Sequence, residues 1–282
     1  GAGFADMQGG ICDPDAARVA VEGVDVVAHL AAESHVDRSI ISAEAAVQTN
    51  FVGTFRMLEA AREVGVERFL HMSTDEVYGS TLAGRFSEDS PLNPRNPYSA
   101  SKAGADRLAY SYFVTHDLPV IIARPANNYG PHQYPEKLIP FFVYRAMRGE
   151  HLPVYGDGMQ MRDWLFVEDD CQALLTIIER GEPGEAYNVE AGNERPNLEV
   201  IRLILDELGE SEDLIRHVED RPGHDLRYPM DGSKLRALGW EPTMPWEDGI
   251  RLTVGWLADH REWMERAVAR SRDYFEKWYA GR

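Results

Sequence analysis

The chain has 282 residues, 44% of them hydrophobic, which is enough to build one or two buried cores. Its 47 Asp and Glu residues outnumber its 29 Lys and Arg residues and give a formal net charge of −18. So acidic a chain is not expected to bind nucleic acid or an anionic membrane surface. An anionic small molecule would need a local cluster of basic side chains.

Cysteine and histidine spacing gives no sign of a disulfide framework or a metal site. The two cysteines are Cys12 and Cys171, too few and too far apart for either. His29, His35 and His71 have no carboxylate or cysteine at ligand spacing, so we expect hydrogen-bonded polar residues at a sheet edge. With no signal-peptide pattern and no apolar run of membrane-spanning length, we expect a cytoplasmic protein.

The N-terminus carries part of a glycine-rich pattern. Gly1 and Gly3, with the Phe4 that follows, are similar to the end of a Gly-x-x-Gly-x-x-Gly turn, but no strand precedes them and no helix follows. The first strand of a doubly wound sheet is central, so its loss would leave an unpaired gap within the sheet. We therefore expect that the printed sequence omits residues before Gly1 and between Phe4 and Ala5.

Strands and helices alternate in the first half of the chain. Residues 24–32 form a short apolar run, and residues 43–61 carry apolar side chains at helical spacing. A second strand is predicted over 67–72, a long helix over 98–116 and a third strand over 119–124. This order predicts an α/β fold with a doubly wound parallel sheet of the Rossmann type.

The pattern loosens after about residue 128, where Pro, Gly and aromatic residues become more frequent. An amphipathic helix is predicted over 167–180, and helices with several tryptophans over 245–279, where the tryptophans are expected to pack in a core. We predict a sheet domain over residues 1–130, with later segments interleaved, and a smaller substrate-binding lobe mainly over residues 131–282.

Two short segments carry the chemistry. Tyr98 and Lys102 form Tyr-x-x-x-Lys, which places phenol and ammonium one helical turn apart, and a lysine there is expected to lower the tyrosine pKa. Thr74, Asp75 and Glu76 place a hydroxyl and two carboxyls directly after the 67–72 strand. A base, a hydroxyl, an acid and a second base together indicate oxidation at a carbinol combined with an elimination.

Each motif alone also has an ordinary structural explanation. Tyr-x-x-x-Lys occurs by chance in many helices, and an Asp-Glu pair at a strand end is often a solvated turn. The two together favour catalysis. Arg124 and Arg145 are expected to be surface charges without a functional role.

Several segments together resemble the extended short-chain dehydrogenase/reductases, and specifically the dTDP-glucose 4,6-dehydratase family. The resemblance covers about residues 9–250 and rests on 30–37 (LAAESHVD), 73–79 (STDEVYG), 98–102 (YSASK), 127–131 (NNYGP), 135–140 (PEKLIP), 162–164 (RDW) and 220–225 (DRPGHD). Tyr-x-x-x-Lys marks only the superfamily, whereas Thr-Asp-Glu before Val-Tyr-Gly is much more specific.

The resemblance implies an NAD-dependent reaction in which these residues have separate roles. Tyr98, assisted by Thr74, takes the proton of the carbon-4 hydroxyl while hydride is removed. Glu76 removes the carbon-5 proton, and a protonated Asp75 donates to the departing carbon-6 hydroxyl. The hydride then returns to carbon 6. Lys102 binds the cofactor ribose and favours the phenolate.

Binding residues are also implied by the resemblance. The cofactor-binding positions are Gly1, Gly3, Ile11, Leu30, Ala31, Ala32, Glu33, Ser34, Thr49, Tyr98, Lys102 and Asn128. The sugar-nucleotide positions are Ser34, Thr74, Asn127, Lys137, Leu138, Pro153, Tyr155, Arg162, Asn197, Arg221 and His224. One departure is Gly10, which stands where the family usually has an Asp that contacts adenine, so the resemblance does not imply that contact here.

The resemblance further implies a homodimer that buries apolar residues of the helices over 43–61 and 98–116. Three alternatives stay open: a UDP-glucuronate decarboxylase, a 4-epimerase, and a non-catalytic dinucleotide-binding regulator. The Asp75-Glu76 pair disfavours the first two, and the intact Tyr98 and Lys102 disfavour the third. The sequence does not distinguish dTDP from UDP as the carrier of the sugar.

Overall fold

A computed structural model describes residues 5–270. In this part of the chain the strands are β1 (Val26–His29), β2 (Arg68–Met72), β3 (Val120–Pro125), β4 (Asn127–Tyr129), β5 (Leu152–Tyr155), β6 (Met161–Phe166), β7 (Ala186–Val189), β8 (Glu194–Pro196) and β9 (Ile215–Val218). The helices are α1 (Pro14–Val21), α2 (Val36–Ile41), α3 (Glu44–Ala46), α4 (Thr54–Val64), α5 (Pro97–His116), α6 (Leu138–Ala146), α7 (Val167–Arg180), α8 (Asn197–Leu208), α9 (Ser233–Arg236), α10 (Trp246–Asp259) and α11 (Arg261–Arg270).

The main sheet is parallel and has the strand order β1-β2-β3-β7. Its strands therefore end at one edge, where the crossover helices begin and where ligands of doubly wound sheets bind. This confirms the predicted α/β class. Strand β1 has no partner on its outer edge among residues 5–270.

The predicted helix over 43–61 is divided into three parts. Between α3 and α4 the backbone forms a π-helical segment, Val47–Gly53. A Cβ atom added to Gly53 would lie 2.5 Å from Cδ1 of Ile11, so only glycine allows this close approach. Ile11, an expected cofactor contact, is thus placed against the π-helical segment.

The long helix α5 matches the prediction closely. It begins at Pro97, and Asn96 caps it by accepting a hydrogen bond from the Ser99 amide while the Ser99 hydroxyl receives one from the Asn96 amide. Because the cap fixes the first turn, Tyr98 and Lys102 take defined positions on the face that packs toward the sheet.

The second half of the chain forms a separate apolar core. Its small sheets have the orders β4-β6-β8 and β5-β9, and helices α6, α8 and α10 pack beside them. Trp240 and Trp246 are buried, and Trp256 and Trp263 pack against the core, which confirms the packing role in this region. Trp278 lies outside the described residues.

Two sequence expectations were wrong. Arg124 is not a surface charge but is 1% exposed, because every residue of β3 is buried. His71 is 0% exposed and lies on β2, between β1 and β3, and neither ring nitrogen has a hydrogen-bond partner among residues 5–270. By contrast, His29 contacts the Thr54 hydroxyl at 3.0 Å, and His35 contacts the Glu136 carbonyl oxygen at 3.2 Å.

Within residues 5–270, no helix is long and apolar enough to cross a membrane. The same residues contain no group of three or more His, Cys, Asp or Glu side chains placed to hold a metal ion.

Candidate active site

The two acidic residues lie in a short turn at the end of β2, which we call the acid–base turn (Thr74, Asp75 and Glu76). Thr74 caps a 3₁₀ helix, Asp75–Tyr78, by accepting a hydrogen bond from the Glu76 amide at 3.3 Å. Gly79 ends it at φ +79°, where an added Cβ would lie 2.3 Å from the Asn93 carbonyl oxygen. Local capping and this glycine therefore fix the direction of both carboxyl groups.

Asp75 is placed where a carboxyl group keeps its proton. It is 2% exposed, and its Oδ1 accepts a hydrogen bond from the Thr74 hydroxyl at 3.0 Å. Its Oδ2 is buried with no hydrogen-bond partner in the described part of the chain. Burial, with Glu76 next to it, raises the pKa of Asp75 well above its usual value. A carboxyl group in such surroundings is suited to act as a proton donor.

Glu76 has a different environment, although it is the next residue. It is only partly buried, and its Oε2 accepts a long 3.4 Å hydrogen bond from the Asn96 side chain. Adjacent carboxyl groups with unequal burial are suited to separate acid and base roles.

Tyr98 is brought to the same place by the first turn of α5. It is 8% exposed, and its hydroxyl is hydrogen-bonded with the Thr74 side chain. Burial, and after it the Glu76 carboxylate, raises the Tyr98 pKa. The expectation of a lowered Tyr98 pKa is therefore wrong for the chain by itself.

Lys102 lies one turn further along α5, behind the tyrosine. Its Nζ donates to the carbonyl oxygen of Met72, the last residue of β2. Burial lowers the Lys102 pKa to about 8, and the Asp106 carboxylate acts in the opposite direction. At neutral pH the side chain is therefore mostly in its ammonium form, although its pKa is lower than that of a lysine in water.

These side chains open into a cavity of about 380 Å³. All the expected sugar-nucleotide residues line it, namely Ser34, Thr74, Asn127, Lys137, Leu138, Pro153, Tyr155, Arg162, Asn197, Arg221 and His224. Of the expected catalytic residues, Thr74, Asp75, Glu76 and Tyr98 line it, whereas Lys102 does not. The fold thus brings segments more than 100 residues apart to one site.

Four basic side chains of the cavity, Lys137, Arg162, Arg221 and His224, form what we call the cation group. Lys137 donates to the Ser34 carbonyl oxygen. Arg162 donates to the backbone oxygen of Asp225 at 3.0 Å. These bonds fix the positive charges toward a cavity that could take an anion.

The other two members of the cation group are paired with carboxylates. Arg221 Nη1 lies 2.6 Å from Oδ1 of Asp37, and His224 Nδ1 lies 2.6 Å from Oδ1 of Asp220. Burial and the positive charge of Arg221 nonetheless lower the His224 pKa to about 4, so this ring is neutral at pH 7.

Asp37 and Tyr228 are site residues that sequence reasoning did not assign. Asp37 is 3% exposed and also accepts a 3.0 Å hydrogen bond from Tyr155, so it orients two expected substrate contacts. Tyr228 lies under the Arg162 guanidinium, 4.5 Å from its ring centroid. Asp37 is the last residue of the 30–37 segment on which the resemblance rests, so the sequence contained a signal for it. No sequence pattern pointed to Tyr228.

The expected cofactor residues at the ends of β1 and β4 fit a dinucleotide in part. Ser34, Tyr98 and Asn128 line the cavity, and Asn128 Oδ1 and Ser73 Oγ are buried with no hydrogen-bond partner in the described residues. Leu30, Ala31, Ala32, Glu33 and Thr49 do not line it. Gly1 and Gly3, the expected pyrophosphate turn, lie outside the described residues.

A parallel doubly wound sheet, a Tyr-x-x-x-Lys helix and a second lobe that closes the cavity define an extended short-chain dehydrogenase/reductase. The family model for GDP-mannose 4,6 dehydratase matches residues 4–253. The chain is 54% identical to the low-salt glycan biosynthesis protein Agl12 of Haloferax volcanii, with 88% of this chain and 80% of that protein covered. It is 48% identical to a dTDP-glucose 4,6-dehydratase of Streptomyces niveus, with 92% of this chain and 77% of that protein covered.

The crystal structure of DesIV, a dTDP-glucose 4,6-dehydratase from Streptomyces venezuelae with NAD and TYD bound, has a similar fold. It aligns with a TM-score of 0.90 at 46% identity, over 92% of this chain and 81% of that one. The chain belongs to the dTDP-glucose 4,6-dehydratase family and is an NAD-dependent lyase.

Proposed function

We propose that the chain converts dTDP-glucose to dTDP-4-keto-6-deoxyglucose and water. The observation that carries this proposal is the acid–base turn, in which a buried Asp75 with a raised pKa adjoins a more accessible Glu76 beside Tyr98. Oxidation alone requires only the tyrosine, whereas removal of water across two carbons requires a proton acceptor and a proton donor.

The residues divide the reaction as follows. Bound NAD would supply the acceptor for the carbon-4 hydride and the donor of the hydride to carbon 6. Tyr98, hydrogen-bonded to Thr74, takes the proton of the carbon-4 hydroxyl. Lys102, one helical turn after Tyr98 on α5, is assigned the positive charge that stabilises the phenolate.

Elimination then uses the two carboxyl groups in opposite directions. Glu76 accepts the carbon-5 proton, which the new carbonyl at carbon 4 has made acidic. Asp75 gives its proton to the carbon-6 hydroxyl, which leaves as water, and a double bond forms between carbons 5 and 6. When hydride reaches carbon 6, Glu76 returns the proton to carbon 5. The proton that Tyr98 took up balances the one that Asp75 gave, so the product differs from the substrate by one water and the protein regains its starting protons.

The cation group is assigned to the nucleotide diphosphate. Lys137, Arg162 and Arg221 supply positive charge, and the neutral His224 supplies a hydrogen bond. An acidic chain with a net charge of −18 retains these cations at one cavity, as binding of an anion requires.

The experiment is incubation of the purified protein with dTDP-glucose, followed by the alkali-induced absorbance of a 4-keto-6-deoxy sugar. We expect a signal, and parallel incubations with UDP-glucose and UDP-glucuronate test the neighbouring reactions. No signal from dTDP-glucose with NAD added, in a folded protein, would overturn the proposal. A catalytically inactive Tyr98→Phe variant is the matched control for contaminating activity.

A homodimer and a cytoplasmic location are proposed with this function. Val47, Phe51, Tyr110 and Val114 are exposed apolar side chains on the π-helical segment and α5, which pack against each other. We expect light scattering to give twice the mass of one chain, and the Tyr110→Glu variant to lower the measured mass toward that of a single chain.

Both cysteines of the chain are free, as is usual in a reducing compartment, which supports the cytoplasmic location.

A further inference from the structure

Arg124 is a buried charge near the carboxyl end of β3, a strand whose other residues are all apolar. It is 1% exposed, the largest side chain so deeply buried within residues 5–270. A buried guanidinium costs several kcal/mol unless it is paired and hydrogen-bonded. Its position therefore requires a compensating structure around it.

All three guanidinium nitrogens of Arg124 have hydrogen-bond partners. Nε and Nη2 donate to the two carboxylate oxygens of Asp106 at 2.9 and 3.1 Å. Nη1 donates to the Tyr78 hydroxyl at 2.7 Å and to the Glu88 carbonyl oxygen at 3.0 Å. Tyr78 in turn donates to Asn188 on β7 at 2.7 Å. The Arg124–Asp106 ion pair is bidentate, and its geometry is correspondingly well defined.

The two partners of Arg124 belong to the two catalytic segments. Asp106 lies on α5, one turn after Lys102, on the same face of the helix. Tyr78 is the last residue of the 3₁₀ helix that carries Asp75 and Glu76. Arg124 thus connects the helix that holds the tyrosine and lysine to the turn that holds the carboxyl groups.

We infer that Arg124 and Asp106 are positioning residues of this active site. Their ion pair fixes α5 relative to the acid–base turn, and the Asp106 carboxylate keeps the Lys102 side chain in its ammonium form. Neither residue lines the cavity. The inference deepens the proposed function and rests on it for the roles of Lys102, Asp75 and Glu76.

The surroundings of Lys102 support the inference that Asp106 keeps this lysine in its ammonium form. Asp106 is the side chain that raises the Lys102 pKa against burial. Burial, and after it the charge of Lys102, lowers the pKa of His29 on β1 to about 4 and that of His71 on β2 well below 6.5. Both rings are therefore neutral. Arg124 on β3 is positive. The π-helical segment packed on α5 contains no titratable residue.

Other charged and titratable groups also lie around this region. The acid–base turn contributes Asp75 and Glu76, and α5 itself contributes Tyr98 and Arg107, whose Nε donates to Oδ1 of Asp106 at 2.9 Å. α4 contributes Glu59, which accepts a 2.7 Å hydrogen bond from Tyr112 further along α5. α2 and α3, which pack on α5, contribute Asp37, Arg38 and Glu44. Loss of the Asp106 charge removes the carboxylate that raises the Lys102 pKa, while Arg107 and Arg124 stay positive, so the ammonium form of Lys102 is destabilised.

The first test is a titration that needs no substrate. The chain has four lysines, so ¹³C-labelled lysine gives few NMR signals, and Lys102→Arg assigns the one from Lys102. In Asp106→Asn we expect the Lys102 midpoint to fall by about one pH unit, the lower end of the effect of a nearby opposite charge. An unchanged midpoint in the folded variant would overturn the inference.

The second test addresses positioning and decides the matter if Asp106→Asn does not fold. Tyr78→Phe removes one hydroxyl that bonds Arg124, and Tyr112→Phe removes one from the same helix, α5, away from the acid–base turn. We expect the first to lower kcat about tenfold at unchanged KM and the second to leave both unchanged. Equal effects would contradict positioning. Inactive wild-type protein would contradict the proposed function, while the lysine titration would still judge Asp106.

Discussion

The acid–base turn and the cation group line one cavity but are built in different ways. The acid–base turn consists of consecutive residues, fixed by a local cap and by one helix packed beside it. The cation group comes from three separate segments. Lys137, Arg162 and Arg221 are each held by a partner elsewhere in the chain, and His224 by Asp220 of its own segment. Reaction chemistry is thus specified locally, whereas anion binding depends on the tertiary fold.

The difference has an electrostatic side. Asp75 is buried without a cationic partner in contact, and its pKa is raised, which favours the protonated form. Arg221 is half-buried beside Asp37, and this pairing holds its charge. Changes in the acid–base turn should therefore affect chemistry, and changes in the cation group should affect binding.

The largest expected effect is on the acid–base turn. Glu76→Gln removes the proton acceptor for carbon 5 but keeps the size and hydrogen-bonding shape of the side chain. We expect kcat to fall about 10²–10⁴-fold, the usual contribution of a general base, with KM changed little. Steady-state kinetics on dTDP-glucose measure both. A rise in KM at constant kcat would place Glu76 with the binding residues instead.

A smaller and different effect is expected from the cation group. Arg221→Gln removes a charged contact to the diphosphate, so we expect KM to rise about 10–100-fold, with a smaller change in kcat. Arg202→Gln, which removes a surface pair with Glu212, is the matched control and should leave both constants unchanged. Loss of kcat alone in Arg221→Gln would contradict the division between the two regions.

His224 gives a pH test within the cation group. Its pKa in the free protein is lowered to about 4, because it is buried near Arg221 and Arg162. The folded chain therefore takes up this proton only near pH 4, while an ordinary histidine does so at about 6.5. Histidine NMR on the free protein, with His224→Gln for assignment, should show no titration of this ring between pH 8 and 5.5. A midpoint near 6.5 would show that it carries charge.

The smallest expected effect concerns the whole chain. A net charge of −18 implies self-repulsion, which added salt screens over a Debye length of about 3 Å at 1 M. We expect the thermal midpoint of the wild type to rise by several degrees between low and 1 M KCl. Sucrose at equal osmolality is the control for exclusion effects. A falling midpoint would mean that surface ion pairs outweigh the repulsion.

The sequence was sufficient for what is local. Alternating apolar runs predicted β1, β2, β3 and the long helix α5, and Thr-Asp-Glu predicted the acid–base turn, because both follow from adjacent residues. The burial of Arg124 was missed, since a charged residue in an apolar strand can be understood only once Asp106, 18 positions earlier, is known to face it.

The electrostatic error has the same origin. The spacing of Tyr98 and Lys102 predicts that they are near each other, but the raised Tyr98 pKa depends on burial and on Glu76 and Asp75 from another segment. Likewise, no local pattern shows that Arg221 pairs with Asp37, 184 positions away. Pairings of this kind require the folded chain.

The separation of oxidation from elimination is tested most directly by single-turnover kinetics of Asp75→Asn. Reduced-cofactor absorbance reports oxidation at carbon 4, and rapid quench with alkali reports the 4-keto-6-deoxy product. We predict that the reduced cofactor forms at close to the wild-type rate and persists, because water cannot leave, whereas Tyr98→Phe forms none. Equal loss of both signals in Asp75→Asn would contradict the role of this residue as the acid of the elimination.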